Sequence, residues 1–205
     1  MKKRSIYVLI ATILTVLVPA PGRFVYGVAL VIELNLIMLV GTVIKSLIKK
    51  MKLEELSTLI ILITIIATTI LYRQIMILIC TEVMLTLGFM IYLMPISVFS
   101  FGYLFSNMDE PLVKRLKLNM IHVLTFSVYV LLYFLFRDIV GYGTFTFFGK
   151  AHQIYEKVLI SPDNLGFFSI IASIPGALMF SSILLFIHIF IRNKFDIMSK
   201  VGVNK

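Results

Sequence analysis

The chain carries little charge and almost no cysteine, and each shortage excludes something. Only 14% of its 205 residues are charged, where a soluble domain of this length carries roughly a quarter. Polar surface is too scarce to face water on all sides, so lipid must be the solvent for much of the chain. The single cysteine, Cys80, excludes an intramolecular disulfide and a self-contained cysteine-ligated metal site. No Gly-rich phosphate loop, metal-ligand spacing, His-Glu-x-x-His helix or Ser/His or Cys/His pair marks an intramembrane enzyme. An intramembrane enzyme is therefore the least expected class.

What is present is hydrophobic: 60% of residues are apolar and the mean hydropathy is +1.04. The formal charge of +9 does not point to nucleic acid. The basic residues fall in short clusters between apolar runs, as in a membrane protein that meets anionic headgroups.

A hydrocarbon core of about 30 Å takes roughly 20 apolar residues to cross as helix. Six stretches qualify within one integral membrane domain over 1–205: about 5–20, 24–48, 57–72, 74–106, 119–138 and 167–191. The first and third are short. The fourth is too long for one straight helix and contains Pro95. Proline removes a backbone donor, so a break there needs protein or water around it. This stretch reads as broken or half helices, re-entrant in one version.

Charge asymmetry supports the count. With the N-terminus inside, one face collects Lys2, Lys3, Arg4, Lys45, Lys49, Lys50, Lys52, Lys114, Arg115, Lys117, Arg192, Lys194, Lys200 and Lys205, fourteen of the 19 basic residues. The other face keeps Arg23, Arg73, Arg137, Lys150 and Lys157. Lys and Arg are retained on the cytoplasmic side, which predicts a multi-pass protein of the cytoplasmic (inner) membrane with both termini in the cytoplasm. A rival reading takes the basic N-terminus and its apolar run as a signal peptide, but Pro19-Ala20-Pro21-Gly22 is a poor cleavage context. The segment 139–166 is the one sizeable extramembrane loop, too small for a catalytic domain.

Five polar residues interrupt the spans. Glu33 lies near the middle of span two with Asn35 beside it, Glu82 lies in span four, and His122 and His188 lie near the cytoplasmic ends of spans five and six. A charge near the bilayer centre costs at least about 2.5–3.5 kcal/mol, so such groups face a partner or an aqueous cavity. On one reading Glu33, Asn35 and Glu82 belong to an ion pathway; on the other they are neutral, hydrogen-bonded packing groups. The histidines read as interfacial. Gly27, Gly88, Gly102 and Gly176-Ala177 are places where helix backbones can approach closely.

Around span five the chain reads Phe134-Leu-Phe-Arg137-Asp138-Ile-Val-Gly141-Tyr-Gly143-Thr-Phe-Thr-Phe-Phe148-Gly149. This resembles the Arg-Glu-x-x-Gly-x-Gly-x-x-Phe-Gly segment of the NqrD and RnfE membrane subunits of Rnf/Nqr redox-driven ion pumps. Ser46-Leu47-Ile48-Lys49, Glu110-Pro111, Asn164-Leu165-Gly166 and Pro175-Gly176-Ala177 fall in register with further motifs of that family. The resemblance covers roughly residues 8–193. It implies six transmembrane helices arranged as two inverted three-helix repeats, with half-helices in spans one and four, a common transporter design. Phe24-x-x-Gly27 and Phe99-x-x-Gly102, each after a proline, are a faint trace of such a repeat. It also implies association with a second related six-helix membrane subunit and other subunits of an ion-translocating electron-transport complex.

Members of that family hold an intramembrane [2Fe-2S] cluster, with a sister subunit, through one cysteine in span one and one in span four. The corresponding positions here are Thr15 and Ile96. Cys80 lies 16 residues from Ile96, roughly 24 Å along a helix. A cluster ligated by this chain is therefore not expected, nor is any other cofactor. Two other classes remain open: the substrate-binding membrane component of a small-molecule importer of the vitamin-type, energy-coupling-factor kind, and a structural membrane partner.

Overall fold

The computed structural model describes residues 16–97, 112–149, 152–161 and 166–203. Most of span one (5–15), the later part of span four (98–106) and Thr15 lie outside these residues, as does the side chain of His188. Four helices are long and apolar enough to cross a membrane, which makes this a membrane protein. They are α1 (Phe24–Lys50), α2 (Ser57–Ile79), α4 (Leu112–Phe136, continued as a π-helix over Arg137–Tyr142) and α5 (Ile174–Val203). A shorter helix, α3 (Thr81–Leu87), follows α2 directly.

α1 is the centre of the bundle. Its 27 residues reach about 40 Å as helix, and it packs most extensively on α4 and next on α2. Its C-terminus closes locally: Leu53 N–H donates to Ile48 O and Lys52 N–H to Lys49 O, with Lys52 at φ 57°. That is a Schellman stop with lysine at the left-handed position where glycine is usual. Lys49 and Lys50 in the last turn also oppose the negative end of the helix dipole. The N-terminus has no such local solution, because Arg23 makes no side-chain cap.

α2 corrects one expected boundary. It runs unbroken from Ser57 through Arg73 to Ile79, and the chain turns only at Cys80, which is extended (φ −149°, ψ 91°). The expected boundary between spans 57–72 and 74–106 falls at Arg73, where a cation interrupts the apolar run. A half-buried arginine on a helix satisfies the same pattern. Beyond Cys80, α3 lasts seven residues and stops at Gly88, whose φ of 48° suits glycine. A 3-10 turn over Gly88–Tyr92 and irregular backbone to Ser97 follow. The helix thus breaks before Pro95, at Gly88.

α4 widens into its π-helix and ends at Gly143, left-handed at φ 68°. The loop after it holds an antiparallel hairpin, β1 (Thr144–Phe148) and β2 (Ile154–Val158), with Phe148 opposite Ile154 and Thr144 opposite Val158. A 3-10 helix over Gly166–Ala172 leads into α5. α5 is the most peripheral of the four described spans, with under a fifth of its apolar window buried.

Two apolar clusters hold the bundle. In one, Leu30, Leu34 and Met38 of α1 meet Val123, Phe126, Val130 and Phe134 of α4, and Val16, Leu17, Ala20 and Met94 join them. The irregular segments on either side of the chain, 16–22 and 88–97, therefore share one core. In the other, Val25, Tyr26 and Ala29 of α1 meet Tyr72 and Met76 of α2, Cys80, and Val83, Leu87 and Ile91.

Candidate functional site

Glu33 is the outlier of the interior. It sits on α1 one turn after Ala29 and one turn before Ile37, so burial of both neighbours fixes its direction inward. Its relative exposure is 0%. Neither carboxyl oxygen has a hydrogen-bond partner. Buried polar groups are nearly always paired, and one left unpaired costs about 1–3 kcal/mol. Nothing in the local helix compensates that cost.

The polar groups nearby are engaged elsewhere. The Tyr72 hydroxyl of α2 donates to Ala29 O at 2.7 Å. Thr69 of α2, fully buried, donates to Ile65 O within its own helix. Asn35 is two residues from Glu33, about 200° further round the helix. Its amide donates to Val31 O at 2.7 Å and to Ser127 Oγ of α4 at 2.9 Å. Glu33 thus lies on the side of α1 that carries Ala29, toward α2, and Asn35 on the side toward α4. The two do not form one site. A second α1–α4 tie, Asn119 Nδ2 to Thr42 Oγ1 at 3.1 Å, lies two turns along.

Glu82 is placed apart from both. It is exposed, in the first turn of α3, and its Oε2 accepts the Ile154 N–H at 2.7 Å. Its own N–H donates to His152 O, and the buried Cys80 thiol also points to His152 O, at 3.4 Å. Glu82 fastens the hairpin to the α2–α3 junction. On the same side Arg23 pairs with Glu156 at 2.7 Å. Ile96 is 62% exposed in the irregular segment after α3. His122, on α4, is exposed.

Two buried charged residues carry more structure than the sequence reading assigned them. Arg137 donates to the carbonyls of Leu17, Ala20 and Ala172 at 3.3, 2.9 and 3.2 Å. Asp138 accepts from Thr144 Oγ1 at 2.7 Å on one oxygen, and from Phe24 N–H, Thr146 N–H and Thr146 Oγ1 on the other. Their signal in the sequence is a charged pair closing an apolar run, followed by two threonines spaced to reach back. Their partners could not be read there. Together they gather the segment before α1, the start of α1, the hairpin and the approach to α5.

Between α4 and α5 an apolar groove of about 420 Å³ is lined by Leu17, Tyr133, Phe136, Phe180 and Leu184 among others, with no charged side chain. Among the described residues no three His, Cys, Asp or Glu side chains come together as metal ligands. Comparison with protein-family models, with curated proteins and with solved structures finds no match to the chain.

Proposed function

We propose that this chain is a membrane subunit of an ion-translocating complex of the Rnf/Nqr-like, electron-transport kind, without an iron–sulfur cluster of its own. The observation that carries the reading is Glu33, a carboxyl fully buried in the central membrane helix with no partner for either oxygen. Ionisable groups inside a membrane protein are expensive and mark ion or proton paths. Glu33 is the ion-binding residue in this reading. Asn35 steadies the helix that carries it, and Glu82 holds the outer hairpin rather than the ion.

The architecture proposed with it is six crossings in two inverted three-helix repeats, with both termini in the cytoplasm. Support comes from the irregular segments 16–22 and 88–97, which meet the middle of α1 and α4 in one apolar cluster. Transporters with inverted repeats place discontinuous helices in that way. The partners proposed are a second related six-helix membrane subunit and further subunits of the complex.

A pull-down of the tagged native protein in mild detergent, with partners identified by mass spectrometry, tests the assembly. Flavin or iron–sulfur subunits together with a second multi-span subunit are expected; ATPase subunits instead would replace this reading with that of an importer component. Reconstitution of the captured complex then tests the site. Glu33→Gln should abolish ion uptake into vesicles while Glu82→Gln preserves it. Uptake at the wild-type rate with Glu33→Gln would overturn the ion-binding role.

A further inference from the structure

The surroundings of Glu33 distinguish between kinds of ion. A metal cation stripped of water needs several oxygen ligands, about six to eight for calcium and six in near-octahedral array for magnesium. Transporter sites often supply part of that set from backbone carbonyls freed where a helix unwinds. α1 offers none at Glu33: it is continuous helix from Phe24 to Lys50, so the carbonyls beside Glu33 stay in the helical ladder. Side chains offer no more. Thr69 and Tyr72 face α1 from α2, but their hydroxyls donate to carbonyls of Ile65 and Ala29 and neither makes a hydrogen bond to Glu33. The Asn35 side chain is on the other side of the helix, bound to Ser127.

Charged and titratable groups on the other elements packed against α1 do not complete a set either. Arg73 of α2 and Glu82 of α3 make no hydrogen bond to Glu33, nor do Arg115, Tyr133, Arg137 and Asp138 of α4, and β1 has no titratable side chain. Among the described residues, no oxygen or nitrogen group is hydrogen-bonded to the Glu33 carboxyl, which leaves it alone as the donor gathered there. A proton is the one cation that a single oxygen can bind completely.

We infer that Glu33 is a proton-binding site, and that the ion it passes is a proton rather than sodium, potassium or a divalent metal. This rests on the ion-translocating reading and specifies its ligand. The step is simple protonation: a proton adds to one carboxylate oxygen and leaves from it, with no redox change. Since the carboxyl is closed off in this arrangement, uptake and release require α1 to shift against α2.

A hydrophobic carbodiimide tests this directly, because it adds to the protonated form of a carboxyl in an apolar setting. The full chain in lipid nanodiscs is treated across a pH series, in sodium, potassium or choline salt at constant ionic strength, and the modified peptide is found by mass spectrometry. Expected are modification at Glu33, faster at lower pH, the same rate in all three salts, and loss of that label in Glu33→Gln. Glu33→Asp, which keeps the carboxyl, should retain it. Slowing by sodium or potassium at fixed pH would overturn the assignment, and so would the absence of label at Glu33 at every pH. Should the label behave as a proton site while Glu33→Gln vesicles still take up ions normally, the translocation reading fails and the proton site stands. Protection by sodium gives the reverse.

Discussion

The Asp138 carboxylate accepts the backbone N–H of Phe24 at 3.0 Å, across 114 residues of chain. The central helix is therefore capped from another helix, and the negative charge sits at the positive end of its dipole. The same oxygen takes two further bonds from Thr146 at 2.7 and 2.8 Å. One carboxylate joins the start of α1, the end of α4 and the hairpin.

Replacement of that carboxylate should be costly. Asp138→Ala removes four hydrogen bonds, three of them from buried donors, and hydrogen bonds to a charged group are worth about 1.5–3 kcal/mol each when broken singly. A loss of about 3–5 kcal/mol is expected, near the upper end for point substitutions. Asp138→Asn should lose less, because one acceptor oxygen remains. Thermal unfolding in detergent checks the order; equal midpoints for both variants and wild type would contradict it.

Arg137 makes the complementary prediction for the opposite charge. Its three carbonyl partners lie before α1 and before α5. Arg137→Met should leave those carbonyls unpaired and loosen both segments, at about 2–4 kcal/mol. Arg137→Lys should recover part of this, since an ammonium cannot span three carbonyls as the planar guanidinium does. The expected readout is faster proteolysis near residues 17–22 in the Met variant, with the Lys variant in between.

Gly27 and Gly176 predict two different responses to one added methyl. A Cβ at Gly27 would come within 2.7 Å of Phe134 side-chain atoms, and overpacking costs about 1–3 kcal/mol. Gly27→Ala should be destabilising, and Phe134→Ala, which removes the crowding Cγ and Cδ2 atoms, should make the double variant less destabilised than the sum of the two single changes. A Cβ at Gly176 meets the backbone of Ile170 and Ile171, which no side-chain substitution can move aside. Gly176→Ala should therefore resist rescue by changes at either residue. Denaturation of the single and double variants decides both cases.

The Asn35–Ser127 bond joins α1 and α4 within the membrane at 2.9 Å. Such bonds average about 0.6 kcal/mol, with a maximum near 1.7 kcal/mol. A double-mutant cycle with Asn35→Ala and Ser127→Ala should give a coupling in that range. A coupling of zero would mean that the two groups do not act on one another.

The hairpin should depend on the acceptor at Glu82 more than on its charge. Glu82→Ala frees the Ile154 N–H, whereas Glu82→Gln keeps a carbonyl oxygen in reach. Hydrogen exchange at Ile154 is expected to accelerate in the first variant and stay near wild type in the second. The exposed Arg23–Glu156 pair should matter little, about 1 kcal/mol or less, and less again at high salt.

Much of the fold was legible along the chain because a bilayer imposes strict local rules. Apolar runs of sufficient length mark α1, α2, α4 and α5, since only a helix satisfies its own backbone in lipid. Glu33 stood out by the same logic, as a carboxyl where hydrocarbon was expected. The irregular stretch in span four was also visible, although Gly88 and not Pro95 begins it. The junction between α2 and α3 was misplaced at Arg73, because hydropathy registers a charge without registering that its stem can lie along a helix.

What the amino-acid order determined alone is where the chain is apolar, and so which segments enter the membrane. Only the tertiary structure decided which faces of those helices meet. It separated Glu33 from Asn35, which the sequence sets two residues apart, because about 100° per residue turns them toward different helices. It also joined Asp138 to Phe24 and Arg137 to Leu17, Ala20 and Ala172. Local pattern cannot anticipate such contacts, because each depends on how distant segments pack, and hydrogen bonds reach only about 3 Å.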